Sequence, residues 1–176
     1  MSRIDFTLDR IRRWDERLCL RLNGVLRYGA LLHFFRAVSW LGNGIFWYVL
    51  MLALLLQHGA GAAPAVLHMV VAGLACTLVY KVLKRGTERP RPYQVVPAIA
   101  AGALPLDAYS FPSGHTLHAV AFSLVAAGYY PALAGVLAAF TGLIAVSRVV
   151  LGLHYPSDVL AGAAVGGGIA AASFYF

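Results

Sequence analysis

Val38 to Gln57, VSWLGNGIFWYVLMLALLLQ, is a run of twenty residues without a charged side chain. A helix needs ~20 such residues to cross the hydrocarbon core of a bilayer. The stretch therefore reads as a membrane span, and the whole chain agrees with it: of 176 residues, 60% are hydrophobic and only 12% charged. An ordinary soluble domain carries about 25% charged residues. The length suits one domain.

Working outward toward the N-terminus, the first 30 residues carry Arg3, Arg10, Arg12, Arg13, Arg17, Arg21 and Arg27. A cleaved signal peptide, which needs a short apolar core and a small-residue cleavage site, is not expected there. Instead Ile4, Leu8, Ile11, Trp14, Leu18, Leu22 and Val25 recur at three- and four-residue steps, with Arg10, Arg13, Arg17 and Arg21 on another side. This pattern predicts an amphipathic helix lying in the membrane interface and touching no substrate.

Toward the C-terminus, apolar runs follow at Ala65–Tyr80, Thr116–Tyr130, Ala132–Val146 and Val159–Phe176, separated by turns marked by Gly and Pro. The expected fold is all-α: a polytopic membrane bundle of about five transmembrane helices, with residues 1–30 as the interfacial helix and 31–176 as the catalytic bundle of a single domain. Gly162 and Gly166, in GxxxG spacing beside Gly167 and Gly168, predict a close-packing helix face. Cys19 and Cys76 lie in unlike contexts and imply neither a disulfide nor a metal pair. The net charge of +7 sits beside apolar spans rather than on a soluble basic face, which disfavours nucleic acid and points to anionic lipid or a phosphorylated substrate.

Alternating spans put Lys81, Lys84, Arg85, Glu88, Arg89, Arg91, Asp107, His115, Arg148, His154 and Asp158 on one membrane face. The opposite turns, 57–64 and 129–131, carry no Lys, Arg, Asp or Glu. Positive-inside topology accounts for the Lys and Arg of such a cluster, but not for two His and an Asp. A site at the membrane surface accounts for all of them. Lys84, Arg91 and Arg148 offer a point charge and two forked guanidiniums, a set that offsets a phosphate dianion. Ser113, Gly114 and His115 open a span, where backbone N–H groups favour an anion. Asp158, four residues after His154, can fix the tautomer of that imidazole and leave the other ring nitrogen free to attack phosphorus. His115 is then the group that protonates the leaving oxygen. His33, His58, His68 and His118 read as hydrogen-bonded structural residues.

These segments resemble, residue for residue, the three signature motifs of the type 2 phosphatidic acid phosphatase family, the lipid phosphate phosphatases. Lys84, six residues, then Arg91-Pro92 matches the first; Pro112-Ser113-Gly114-His115 the second; and Ser147-Arg148, five residues, His154, three residues, Asp158 the third. The resemblance implies a phosphohistidine mechanism without metal or other cofactor. His154 is the nucleophile, His115 the acid and Asp158 the orienting carboxylate, while Lys84, Arg91, Ser113, Gly114 and Arg148 hold the phosphoryl oxygens. Arg85 and Arg89 are additional to the motif and are expected to be solvated or lipid-facing. Many bacterial members have six spans, where five are counted here.

The resemblance implies a lipid phosphate substrate such as a polyprenyl diphosphate, phosphatidylglycerophosphate, phosphatidic acid or lipid A phosphate. The expected setting is the bacterial inner membrane, with the bilayer and its lipid as the only partners. A phosphotransferase using the same histidine, or a non-enzymatic lipid-binding or transport protein, are the alternatives; intact His154, His115 and Asp158 argue against the latter. The family usually places the site on the outer face, whereas the arginines from Arg3 to Arg36 favour a cytoplasmic one.

Overall fold

The computed structural model describes residues 3–175, and side chains from residue 9 onward. Ile4 and Leu8 of the expected apolar face, and Phe176 of the last run, thus lie outside the described side chains. Helix α1 covers Arg3–Asn23, and a tight turn leads into α2, Gly29–Trp40. Then come α3, Phe46–His58, α4, Ala63–Thr87, the single turn α5, Pro92–Val95, α6, Gly114–Tyr129, α7, Ala134–Val150, and α8, Pro156–Ser173. There is no strand among the described residues.

Two stretches are long and apolar enough to cross a bilayer, Gly29–Val95, which takes in α2 to α5, and Pro131–Val150, which holds α7. α6 is only 16 residues long, and α8 is diluted by glycine. The outward faces are strongly apolar: Leu56, Leu67, Leu74, Leu78, Val136 and Leu160 are each at least 60% exposed. A belt of that size is unlike the surface of a soluble monomer.

The charge-free run from Val38 to Gln57 is not one helix. The helix begins at Gly29 and is interrupted at Leu41–Ile45 by a π turn in which Asn43 and Gly44 leave helical geometry. Gly44 has φ of +116°, a conformation open to glycine and strained for other residues. Hydropathy gives no warning of the break; its only signal in the sequence is the Gly42-Asn43-Gly44 triplet. At the other end of the hairpin α4 runs past the expected Tyr80 to Thr87, carrying Lys84 into the interior, and stops where Glu88 turns left-handed.

Helix directions alternate. His68, early in α4, bonds Tyr129 Oη at the end of α6 (3.2 Å) and Ser173 Oγ at the end of α8 (2.7 Å). At the opposite end the Ser113 N–H, just before α6, donates to the Asp158 carbonyl in the first turn of α8 (3.0 Å). α6 is the central helix, packed against α4, α7 and α8. α8 approaches it closely because Gly162 and Gly166 lack side chains: a Cβ at Gly166 would stand 2.2 Å from the Leu117 carbonyl oxygen, and one at Gly162 2.6 Å from that of Ser113.

α1 packs on the bundle through a face other than its apolar stripe. Ile11 and Trp14 are 41% and 39% exposed, whereas Asp15 and Cys19 are fully buried and Asn23 nearly so. The apolar stripe is therefore free to face lipid, while the 15–19–23 stripe packs against α7, α8 and their connecting turn. α1 thus does more than lie on the surface.

Replacing Gly166 by Ala is predicted to destabilise the protein by at least ~1–3 kcal/mol, the usual range for overpacking. Gly168→Ala, where nothing lies within 4 Å, is predicted to be neutral or mildly stabilising. Thermal unfolding of the two variants in detergent checks the contrast; equal midpoints would contradict the glycine interface.

Candidate active site

His154 lies in the turn between α7 and α8, a segment shaped by backbone bonds. The Leu153 and His154 N–H groups both donate to the Arg148 carbonyl (3.1 Å each), and Gly152 takes φ of +70°. A Cβ at Gly152 would stand 2.7 Å from the Ala100 carbonyl oxygen, so glycine is required here on both counts. Asn23 of α1 secures the turn from behind, donating to the carbonyls of Val150 (3.0 Å) and Ala100 (2.8 Å) and accepting from the Ala100 N–H (2.9 Å).

The His154 ring is buried, and its two nitrogens have different surroundings. Nε2 is 3.3 Å from Nη1 of Arg91. A guanidinium can only donate, so Nε2 is the acceptor and the ring proton sits on Nδ1. Nδ1 has no hydrogen-bond partner and lies 3.8 Å from Asp158 Oδ2. Burial, and then the positive charges of Arg148, Arg91 and Lys84, push the imidazole well below its ordinary range and keep it neutral.

Arg91 is almost fully buried. It donates through Nη1 to the Leu153 carbonyl (2.7 Å), and through Nε and Nη2 to the Asp107 carbonyl (3.2 and 3.1 Å). Arg148 bonds Ser39 Oγ of α2, and its buried Nε has no partner. A buried guanidinium N–H and a buried imidazole N–H left unpaired in the same pocket are costly unless a ligand or a small movement satisfies them.

Arg91, Arg148, His115, His154 and Gly114 line one cavity of about 370 Å³. From these polar groups it runs between α3, α4 and α6 along Trp47, Met51, Val70, Leu74 and Phe122, and the π turn at Gly42–Gly44 forms part of its wall. Lys84 and Ser113 stand behind the lining. Lys84 bonds Asp107, while Ser113, fully buried, pairs its Oγ with Thr116 Oγ1 (3.0 Å). His118 also lines the cavity, but both its nitrogens are engaged, with the Gly114 carbonyl (2.8 Å) and Thr77 Oγ1 (3.1 Å).

Arg89 corrects the sequence reading. It is not left to solvent or lipid: Nη1 donates to Asp158 Oδ1 (2.6 Å) and Ser157 Oγ (2.8 Å), and Nη2 donates to Asp15 Oδ2 (2.7 Å). Burial opposes its charge, but the carboxylates of Asp158 and Asp15 outweigh burial and raise its pKa. Asp15 also accepts from the Ser157 N–H (2.9 Å) and hydroxyl (2.5 Å). α1 is thereby tied to the residue beside His154. Arg85 remains exposed.

Sequence reading assigned no role to Asp15, Ser39 or Tyr80, and counted Asp107 only as a charge. Asp15 carried no distinguishing signal, since α1 also holds Asp5, Asp9 and Glu16 among its arginines.

A sequence model of the PAP2 superfamily matches residues 65–176. No curated protein matches. Among solved structures, LpxE from Aquifex aeolicus superposes with a TM-score of 0.77 at 27% identity, covering 89% of this chain and 93% of that one. A transmembrane PAP2-type phosphatidylglycerolphosphate phosphatase from Bacillus subtilis superposes at 0.75 with 23% identity, covering 94% of this chain and 85% of that one. A match over well more than half the chain, on the helices that carry all three motifs, makes this protein a member of the PAP2 superfamily.

Proposed function

We propose that this protein is an integral membrane phosphatase that removes a phosphate from a lipid-borne monoester or diphosphate through a phosphohistidine at His154. The observation that carries the proposal is the polarity of the His154 ring. Its lone pair, on Nε2, faces the Arg91 guanidinium in the cavity, and its protonated nitrogen faces Asp158. A neutral imidazole with that tautomer is a nucleophile, and cations around its lone pair are where an anionic electrophile would bind.

In the proposed reaction Nε2 attacks phosphorus while the bond to the lipid oxygen breaks. His115, across the same cavity, takes up a proton as the phosphate dianion binds beside it and gives that proton to the departing oxygen. Asp158 draws in the Nδ1 proton as positive charge develops on the ring; hydrogen bonds of this kind are often long before substrate binds. His115, now neutral, takes a proton from a water that attacks the phosphohistidine. The P–N bond breaks, and inorganic phosphate leaves. Lys84, Arg91 and Arg148, with the Gly114 N–H, hold the phosphoryl oxygens, whereas the Ser113 N–H, expected to join them, is already given to the Asp158 carbonyl. Neutralisation comes from side chains, and no metal is required.

The apolar reach of the cavity between α3, α4 and α6 suits a hydrocarbon chain entering from the bilayer. The proposed architecture is a single domain with five crossings: the broken α2–α3 helix, then α4, α6, α7 and α8. The α1 helix lies at the interface on the active-site side, and the bacterial inner membrane is the proposed location. Candidate substrates are polyprenyl diphosphate, phosphatidylglycerophosphate, phosphatidic acid and lipid A phosphates.

Phosphate release by the detergent-purified protein in EDTA, across that panel, tests the activity. Release is expected for at least one lipid, and His154→Ala is expected to lower it by ~10⁴-fold or more, the scale on which removing a catalytic nucleophile acts. Equal release by the variant would remove His154 from the mechanism, and a product phosphorylated on a second acceptor would favour transfer over hydrolysis.

The depressed pKa of His154 has a definite sign. As pH falls through ~6.5, where an ordinary imidazole gains a proton, this ring stays neutral. In ¹⁵N-histidine-labelled protein its signals should remain those of the Nδ1–H tautomer at pH 6, while free histidine added as a reference has largely titrated. Half-protonation of His154 at pH 6.5 would contradict the buried, cation-flanked geometry.

A further inference from the structure

Asp107 sits on the irregular segment between α5 and α6 and pairs with both cations of the first motif. Its Oδ1 accepts from Lys84 Nζ and from Arg91 Nη2, the latter at 2.6 Å, and its Oδ2 accepts from the Tyr80 hydroxyl. These are charge-assisted donors of the kind a phosphoryl group uses. The carboxylate side chain is 31% exposed, against 8% for Lys84 and 1% for Arg91. The anion therefore has room to leave, and the cations do not.

Its backbone is held independently of the side chain. The Asp107 carbonyl accepts from Arg91, the Tyr109 carbonyl accepts from Lys84 (2.7 Å), and the Ser110 N–H donates to the Arg89 carbonyl (2.8 Å). Rotation of the side chain alone would free one donor on each cation while the carbonyl bonds keep both in place.

We propose that Asp107 is a specificity-determining residue whose carboxylate competes with the substrate for Lys84 and Arg91, so that the site admits a dianionic phosphate and turns away a singly charged phosphodiester. This rests on the phosphate-site reading above. A phosphodiester would exchange one negative charge for another and gain little. A phosphate monoester carries about −1.5 to −2 charges at pH 7 and three acceptor oxygens, enough to displace the carboxylate and engage Arg148 as well. Glycerophospholipid head groups are phosphodiesters, so a site open to the bilayer needs such a filter. Burial pushes the Asp107 carboxyl up, but hydrogen bonds from Lys84 and Tyr80 and the charges of Lys84 and Arg91 outweigh it and hold the pKa below the usual value, which keeps the competitor ionised.

The test is titration calorimetry of the full chain in detergent with two probes, orthophosphate at pH 8 and dimethyl phosphate, a monoanionic diester. His154→Ala and the double variant Asp107→Asn/His154→Ala are compared, so that the readout is binding alone. The double variant is expected to bind orthophosphate at least about tenfold more tightly, which corresponds to ~1.4 kcal/mol. It should also bind dimethyl phosphate, which the parent does not bind measurably. Unchanged or weaker orthophosphate binding would overturn the proposal, because Asp107 would then support the cations rather than compete for them. Tighter orthophosphate binding without gained diester binding would overturn the selectivity. Orthophosphate binding by neither protein would overturn this inference together with the phosphate site beneath it. Asp107→Ser, also uncharged, repeats the comparison if Asp107→Asn fails to fold.

Discussion

Lys84, Arg91 and Arg148 are three buried cations at one end of an apolar helical bundle, and much of the surrounding structure answers the need to neutralise them. A buried charge without a partner is strongly destabilising, so carboxylates, carbonyls and hydroxyls must be brought to it. Asp107 answers Lys84 and Arg91, the Leu153 and Asp107 carbonyls answer Arg91, and Ser39 answers part of Arg148. Burial, reinforced by these cations, keeps His154 neutral. The electrostatic arrangement that a phosphate would complete is thus also the arrangement that keeps the proposed nucleophile neutral.

A second charge chain runs through Asp15, Arg89 and Asp158 and brings α1 into the design. Helix α1 exposes Ile11 and Trp14 and its arginines, yet buries Asp15, Cys19 and Asn23 against the segment that carries His154. In the proposed membrane placement, α1 fixed in this way links the position of the membrane surface to that of the turn carrying His154. The bundle beneath is held close by small residues: α8 lies against α6 only because Gly162 and Gly166 leave room for backbone contact.

The candidate constellation could be proposed from the sequence because its motifs are local. Lys84 with Arg91, Ser113 with His115, and Arg148 with His154 and Asp158 lie within single helix ends or turns, so their spacing carries geometric meaning. The partners of those residues were not legible. Asp15 is 74 positions from Arg89, and Ser39 is 109 from Arg148. Asp107 lies in a stretch without periodicity that would orient it. The all-helical class followed from the apolar runs, but the break at Asn43–Gly44 did not, since a hydropathy pattern is unchanged by a π turn. The inward face of α1 was not legible either: the apolar stripe, expected in the interface, is left to lipid, and the stripe that packs on the bundle, Asp15, Cys19 and Asn23, has no hydropathy signal.

The central claim is that His154 Nε2 carries the phosphoryl group. Rapid acid-free quenching of the protein during turnover of its preferred lipid, followed by peptide mass spectrometry under alkaline conditions that preserve phosphohistidine, tests it most directly. A phosphoryl mass on the peptide containing His154, appearing within the first turnover and absent in His154→Ala, is the predicted result. Steady release of phosphate with no phosphorylated His154 peptide at any quench time would contradict it.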